Sequence, residues 1–292
     1  MNYTAHSETG QIKTLFIKRE EYAFVSEENI EKEWERLNYL SKPSFNNAVK
    51  EYDAFEMILK QQNIELFYLP ADDTVNMDSI YCRDAALATN HGMIICNMGK
   101  QARENEPAAE QKVFEAIRIR VPGAIKAPGT LEGGDVAWLD EHTVAVGNGY
   151  RTNPEGIKQL TGLLSPLHVE VISVSLPHYK GPFDVFHLMS IFSPIDVDLA
   201  VIYSPLMPVV FRNYLLNRGY ELLVVPEEEF LTMGCNVLAI APRECLLVSG
   251  NPATQHALEK AGCKVTVYQG EEISVKGGGG PTCLTRPLYR HK

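Results

Sequence analysis

The chain has no run approaching eighteen apolar residues, and its start, MNYTAHSETGQIK, lacks the basic residues and apolar core of a secretory leader. Those absences predict no membrane-spanning helix and no membrane partner, and they make the cytoplasm the expected compartment. The six cysteines, at 82, 96, 235, 245, 263 and 283, include no Cys-x-x-Cys pair and no Cys/His cluster at zinc spacing. Free thiols are expected, with no structural metal. Positive charge is scarce: 27 Lys and Arg stand against 37 Asp and Glu, for a formal net charge of −10. Nucleic acid would be repelled and is set aside as a partner, whereas a cationic small molecule is compatible with such a balance.

What is present is a recurring unit. Runs rich in β-branched and aromatic residues occur at 64–70, 117–122, 169–177, 221–226 and 263–270. Their starts lie roughly 45 to 55 residues apart, in the range where repeat architectures should be sought. Each run follows a helix-like segment, at 46–62, 108–116, 155–164, 210–218 and 254–261. Between units stand strand-like pairs joined by turn sequences such as TNHG, LDEH and APRE. Five such α/β units without a break in composition predict one closed, pseudo-symmetric domain over residues 1–292. Closure removes sheet edges and gathers equivalent loops around one centre. The charged stretch 19–45 precedes the first repeat helix and is expected to act as a mobile flap.

The most site-like stretch is GGGGPTCLTRP, residues 277–287, with Cys283 at its centre. Consecutive glycines lose much backbone entropy on folding and are kept where the chain needs unusual dihedrals or a ligand approaches closely. Lys276 and Arg286 bring positive charge near the thiol, which favours the nucleophilic thiolate. The loops after the other repeated strands also carry polar residues at comparable places: Asp78 and Asp84, Glu132 and Asp135, His187, and Asn236. A closed ring would bring a thiol, an imidazole and carboxylates into one pocket.

GTLEGGDV, GYRTN, FHLMS and GGGGPTCLTRPL together resemble the signature segments of the guanidino-group-modifying enzyme superfamily. Its members include dimethylarginine dimethylaminohydrolases, arginine and agmatine deiminases, and amidinotransferases. The resemblance implies a five-bladed α/β propeller, the pentein fold, which agrees with the five units. It also implies roles: Cys283 as nucleophile, His187 as acid and base, and Glu132 as the carboxylate orienting the histidine. Asp84 would grip the guanidinium, with Asp78 and Asp135 as further polar residues of the site. Arg103 and Arg151 would hold the substrate's α-carboxylate, since a planar guanidinium can bind a carboxylate through two parallel hydrogen bonds. No cofactor is implied.

Two positions separate the subfamilies. Met189 stands where arginine deiminases carry a carboxylate two residues after the histidine, and Arg83 stands where the dimethylarginine enzymes carry Glu. The first points away from an arginine deiminase and the second toward one; chain length resembles the dimethylarginine enzymes. The expectation is a cysteine hydrolase of a substituted guanidine, with Nω-methylated arginine ahead of arginine. Amidino transfer and a non-catalytic arginine-binding role stay open, as does a homodimer. Cys96, Cys245 and Cys263 are expected to be structural, Cys82 and Cys235 lie near site loops, and Tyr150, Asn153 and Phe186 are expected to be scaffold.

Overall fold

Five three-stranded sheets carry the repeat, in a computed structural model that describes residues 4–184 and 186–291. In each, a central strand pairs antiparallel with an inner strand and parallel with an outer one. In the third sheet, for example, Thr143–Asn148 is central, Val136–Asp140 inner and Glu170–Ser175 outer. In four of the five sheets the inner and central strands form a hairpin; in all five the outer strand is reached through a helix, as a parallel crossover requires. Those helices are Phe45–Gln61, Glu106–Ala116, Pro154–Leu164, Val209–Asn217 and Pro252–Lys260, close to the segments expected from periodicity.

Burial distinguishes the layers. The inner strands Ala86–Thr89 and Val136–Asp140 are buried at nearly every position, while the outer strands Glu65–Tyr68 and Glu221–Val224 read exposed at both ends. Apolar residues on both faces of the inner strands therefore read as continuous runs, and the outer strands are half wet. The ring is closed by joining the two ends of the chain in one blade: Gln11–Ile17 pairs antiparallel with Arg286–His291 and parallel with Glu65–Tyr68. This is a five-fold pseudo-symmetric α/β propeller.

One expected strand moved. The run 117–122 does not form the strand; Gly123–Ala124 pairs with Ile94 and Ile95, and the Met93 N–H reaches the carbonyl of Arg120 at 2.9 Å. The helix before it ends with Arg118 at φ 62°, and the backbone N–H of Ile119 turns back to the carbonyl of Phe114. This terminal turn uses residues that β-branched composition alone had assigned to the strand.

Residues 19–45 form two short helices, Glu20–Ala23 and Glu27–Glu33, followed by a loop. Phe24, Ile30 and Leu37 are buried and pack in one cluster with Leu15, Tyr52 and Phe55. The backbone N–H of Leu40 donates to the carbonyl of Lys276 at 2.7 Å, joining this segment to the glycine-rich stretch.

Glycine is required at Gly156, near the start of Pro154–Leu164, where an added Cβ would overlap the Thr130 carbonyl oxygen. That carbonyl also accepts the N–H of Asn153, whose side chain caps the same helix. Gly156→Ala must push the helix off the loop leading to Glu132. A loss of roughly 2 kcal/mol in urea unfolding is expected, within the range for overpacked interiors.

Candidate active site

Each blade delivers its polar residue from the turn just before the inner strand. Asp84 precedes Ala86–Thr89, Glu132 and Asp135 precede Val136–Asp140, and His187 precedes Phe192–Asp196. Asn236 precedes Leu238–Ala241 and Cys283 precedes Arg286–His291. Positions far apart in sequence meet because the fold places these turns at the same end of the ring.

Glu132 and His187 are directly joined, with His187 Nε2 2.7 Å from Glu132 Oε2. An ionised carboxylate can only accept, so the imidazole carries a proton on Nε2. The other oxygen, Oε1, accepts the backbone N–H groups of Gly99 and Lys100 at 2.9 and 2.8 Å. Burial would raise the Glu132 pKa, yet the His187 hydrogen bond and the Arg151 charge outweigh it and hold the carboxyl well below its ordinary value. For His187, burial alone would lower the pKa; Asp84, then Asp135 and Glu132, reverse the sign and raise it. The site thus favours an imidazolium beside a carboxylate.

Asp84 accepts the N–H of Gly134 at 2.8 Å and Nη1 of Arg103 at 2.5 Å. Burial opposes its ionisation, but His187 and Arg103 lower its pKa. Asp135 lies behind His187 and accepts the Leu188 N–H at 2.9 Å, fixing the turn that carries the imidazole. Its burial pushes the pKa up to about 6. Asp78 binds Lys100 Nζ at 2.6 Å, and the same ammonium donates to the carbonyl of Leu37.

The two arginines are already engaged. Arg103 is clamped by Glu106 through Nε at 2.8 Å and Nη2 at 2.7 Å, in addition to Asp84. Arg151 donates Nη1 to Glu132 and Nη2 to the carbonyl of Asp184. Both nevertheless line the polar lobe of the pocket.

Cys283 is partly buried, and its Sγ receives the side-chain amide of Asn236 at 3.4 Å. Asn236 is held in turn by the N–H and hydroxyl of Thr282, which donate to its Oδ1 at 3.1 and 2.6 Å. The positive surroundings inferred from sequence do not prevail at the thiol. Lys276 is paired with Glu272, and the Arg286 guanidinium donates to backbone carbonyls of Arg83 and Ala86. Burial, followed by the Asp84 charge, raises the Cys283 pKa.

Two spaces meet at the thiol and His187. A narrow lobe is lined by Asp78, Asp84, Lys100, Arg103 and Arg151. A larger, open chamber on the other side is lined chiefly by apolar side chains, among them Tyr179, Phe186, Met189, Phe230 and Met233. Gly277 and Gly278 border both. Side chains there would fill the space: a Cβ on Gly277 would overlap the Tyr81 hydroxyl, and one on Gly279 would meet the Tyr81 ring at 2.5 Å.

Asp84, Glu132 and His187 offer ligand atoms within 4.8 Å of one another. Their partners are cationic, however, with Arg103 on Asp84 and Arg151 on Glu132. A set already charge-matched by two guanidiniums suits an organic cation held by shared hydrogen bonds better than a divalent metal.

Residues 20–290 match the family profile described as N,N dimethylarginine dimethylhydrolase, eukaryotic. The chain belongs to this family. Among its relatives, the Bacillus subtilis protein YkgA, described as uncharacterized, is 30% identical over 232 residues, covering 80% of this chain and 77% of its own. Arginine deiminase of Listeria welshimeri is 27% identical over 252 residues, covering 72% of this chain but 61% of the deiminase. Among solved structures, a DDAH from Pseudomonas aeruginosa, a cysteine-to-serine variant complexed with citrulline, aligns with a TM-score of 0.76 at 20% identity. That alignment covers 95% of this chain and all of the other, and it shows the shared fold.

The structure brings together the turns of Asp84, Glu132, His187, Asn236 and Cys283 and adds supports that the sequence does not mark. Lys100, Glu106 and Thr152 were not singled out, although Thr152 Oγ1 accepts the Glu132 N–H and Glu106 fixes Arg103. Asn236 was noted as a loop residue without a role, and the structure brings it to the thiol. Phe186, expected as scaffold, lines the chamber, as does Cys235. Cys82 is fully buried, its Sγ directed to the carbonyls of Phe16 and Leu284. Tyr150 is exposed and hydrogen-bonds His178.

Proposed function

We propose that this chain hydrolyses the guanidino carbon of an Nω-methylated arginine, releasing methylamine or dimethylamine and leaving citrulline. The observation that carries this reading is the meeting of Cys283, the His187–Glu132 pair and Asp84 at the junction of the two spaces. A guanidinium is a resonance-stabilised cation and a poor electrophile. Carboxylates must hold it while a strong nucleophile attacks, and Asp84 is the ionised, buried group placed to do so.

In the free protein the thiol is protonated, because burial and Asp84 oppose the thiolate. A bound guanidinium offsets the Asp84 charge and draws the thiol toward ionisation, its proton passing to solvent through the open chamber. Cys283 Sγ then attacks the guanidino carbon, forming a C–S bond and a tetrahedral adduct. His187 gives a proton to the substituted nitrogen, the C–N bond breaks, and the amine departs to leave a thiouronium on sulfur. Neutral His187 next takes a proton from water as the hydroxide adds to the same carbon. Collapse of that adduct breaks the C–S bond, its hydroxyl proton is lost as the ureido C=O forms, and the departing thiolate takes that proton back to restore the resting thiol. No cofactor takes part in these steps.

The preference for a methylated substrate is supported by the family profile and by Met189, which with Phe186 gives the chamber an apolar wall beside His187. Arg103 and Arg151 in the polar lobe are assigned to the α-carboxylate end of the substrate, with Lys100 beside them. Residues 19–45 contribute Asn38 and Leu40 to the chamber and are assigned the part of a cover over it. No helix among the described residues is long and apolar enough to cross a membrane, and all six cysteines are free. A reducing cytoplasm is the compartment assigned.

The test is a parallel assay of arginine, monomethylarginine, asymmetric dimethylarginine and agmatine, with ureido product and released amine followed by mass spectrometry. Turnover of the methylated arginines above the others is expected. Turnover of arginine or agmatine instead would replace the substrate while keeping the chemistry; no ureido product from any would sink hydrolysis of this panel.

A further inference from the structure

A cluster of charge that the proposed reaction does not use runs from Arg83, at the wall of the chamber, to Arg286 and Arg290. Arg83, Arg286 and Arg290 are 0%, 2% and 3% exposed. Arg286 and Arg290 both come from the inner strand that closes the ring. Their guanidiniums reach the inner strands on either side: Arg286 Nη1 donates to the carbonyl of Ala86 at 2.9 Å, and Arg290 Nη1 to that of Ala239 at 2.7 Å. Arg83, from the turn before Ala86–Thr89, donates Nη2 to Glu8 at 2.7 Å.

Glu8 is the carboxylate paired with this cluster, so three guanidiniums face one negative charge. Their N–H groups are also incompletely used. Among the described residues, Nε and Nη1 of Arg83, Nε and Nη2 of Arg290, and Nε of Arg286 meet no acceptor, although each is fully buried. Buried charged donors left without partners are costly, and arginine does not escape the cost by losing its proton near neutral pH. Burial, with the neighbouring guanidiniums adding to it and Glu8 opposing, pushes Arg290 down to about 9. A negative charge is what this place lacks.

We propose that a small monovalent inorganic anion of the chloride class binds between Arg83 and Arg290, beside Glu8, on the inner-strand side of the ring. The free donors of Arg83 and Arg290 would hold it, with Arg286 adding its field. Burial selects the class: Arg83, Arg290 and Glu8 are all at most 5% exposed, which suits a small ion rather than a phosphate ester or peptide carboxylate. Halide binding there would act on stability, since an anion that binds only the folded chain raises its Tm.

The probes are sodium bromide and sodium chloride, compared with sodium gluconate at equal ionic strength. Crystals grown in bromide should show an anomalous peak within hydrogen-bond distance of Arg83 Nη1 and Arg290 Nη2. The Tm should be higher in chloride than in gluconate, by roughly 5 °C at a hundredfold excess over the dissociation constant. Arg290→Met should lose that difference. Should Arg290→Met fail to fold, Glu8→Gln provides the second reading. Removing the competing carboxylate should tighten chloride at least about tenfold. No bromide peak between the two arginines, or a wild-type Tm indifferent to halide, overturns the proposal.

Discussion

Cys283→Ser is expected to lower kcat by about four to six orders of magnitude while leaving substrate affinity within a few-fold of wild type. The size follows from what surrounds the sulfur. Among the described residues Sγ receives the Asn236 amide, and the Thr282 hydroxyl, whose proton is given to Asn236, can only accept from the thiol; neither group is a base at neutral pH. His187 is turned instead to Glu132. A thiol with a raised pKa can still ionise once a guanidinium lies beside Asp84, because a thiol is intrinsically far more acidic than an aliphatic hydroxyl. A serine hydroxyl has no such route and no base at hand. Affinity should survive because Asp84 and the polar lobe are untouched. Single-turnover kinetics and calorimetric titration of the variant with methylarginine check the two halves separately. Loss of binding together with turnover would mean that Cys283 shapes the pocket rather than attacks.

The same surroundings explain how much of the site could be read from sequence. The five-unit period survived translation into structure because each unit encodes its own hairpin, helix and outer strand with local turn chemistry. Asp84, Glu132, His187 and Cys283 were legible because each sits in a turn just before an inner strand, so repetition marked the position. What supports them was not legible. Glu106 reads as an ordinary acid at a helix start, and only tertiary packing shows that it grips Arg103. Lys100 likewise gains meaning from a contact with Asp78 across the site. The thiol's electrostatics were misjudged for a related reason. Lys276 and Arg286 are near Cys283 in sequence, but one is neutralised by Glu272 and the other bonds backbone carbonyls, whereas Asp84 comes from another blade. Residues 117–122 failed differently: β-branched composition suggested a strand, and the end of a helix took the residues first.

Glu132→Gln is the second large effect, expected to cost about three to four orders of magnitude in kcat, comparable to amide replacement of an orienting carboxylate in other histidine-based sites. Oε1 accepts two backbone N–H groups and Oε2 accepts His187 Nε2 and an Arg151 N–H. A glutamine has one oxygen for these four donors. If that oxygen stays on Gly99 and Lys100, the amide N–H₂ faces the imidazole and the Arg151 guanidinium. His187 must then accept at Nε2, carrying its proton on the other nitrogen. If the amide flips, two buried backbone donors lose their acceptor. Either arrangement also removes a negative charge that favours the imidazolium, so the His187 pKa falls. Because the proposed mechanism needs protonated His187 to expel the amine, the alkaline limb of the kcat profile should move to lower pH in Glu132→Gln. A carboxylate that only braced the fold would reduce stability and leave that limb where it is. NMR titration of the His187 ring beside the pH profile distinguishes the two, and an unshifted pKa would remove Glu132 from the proton chemistry.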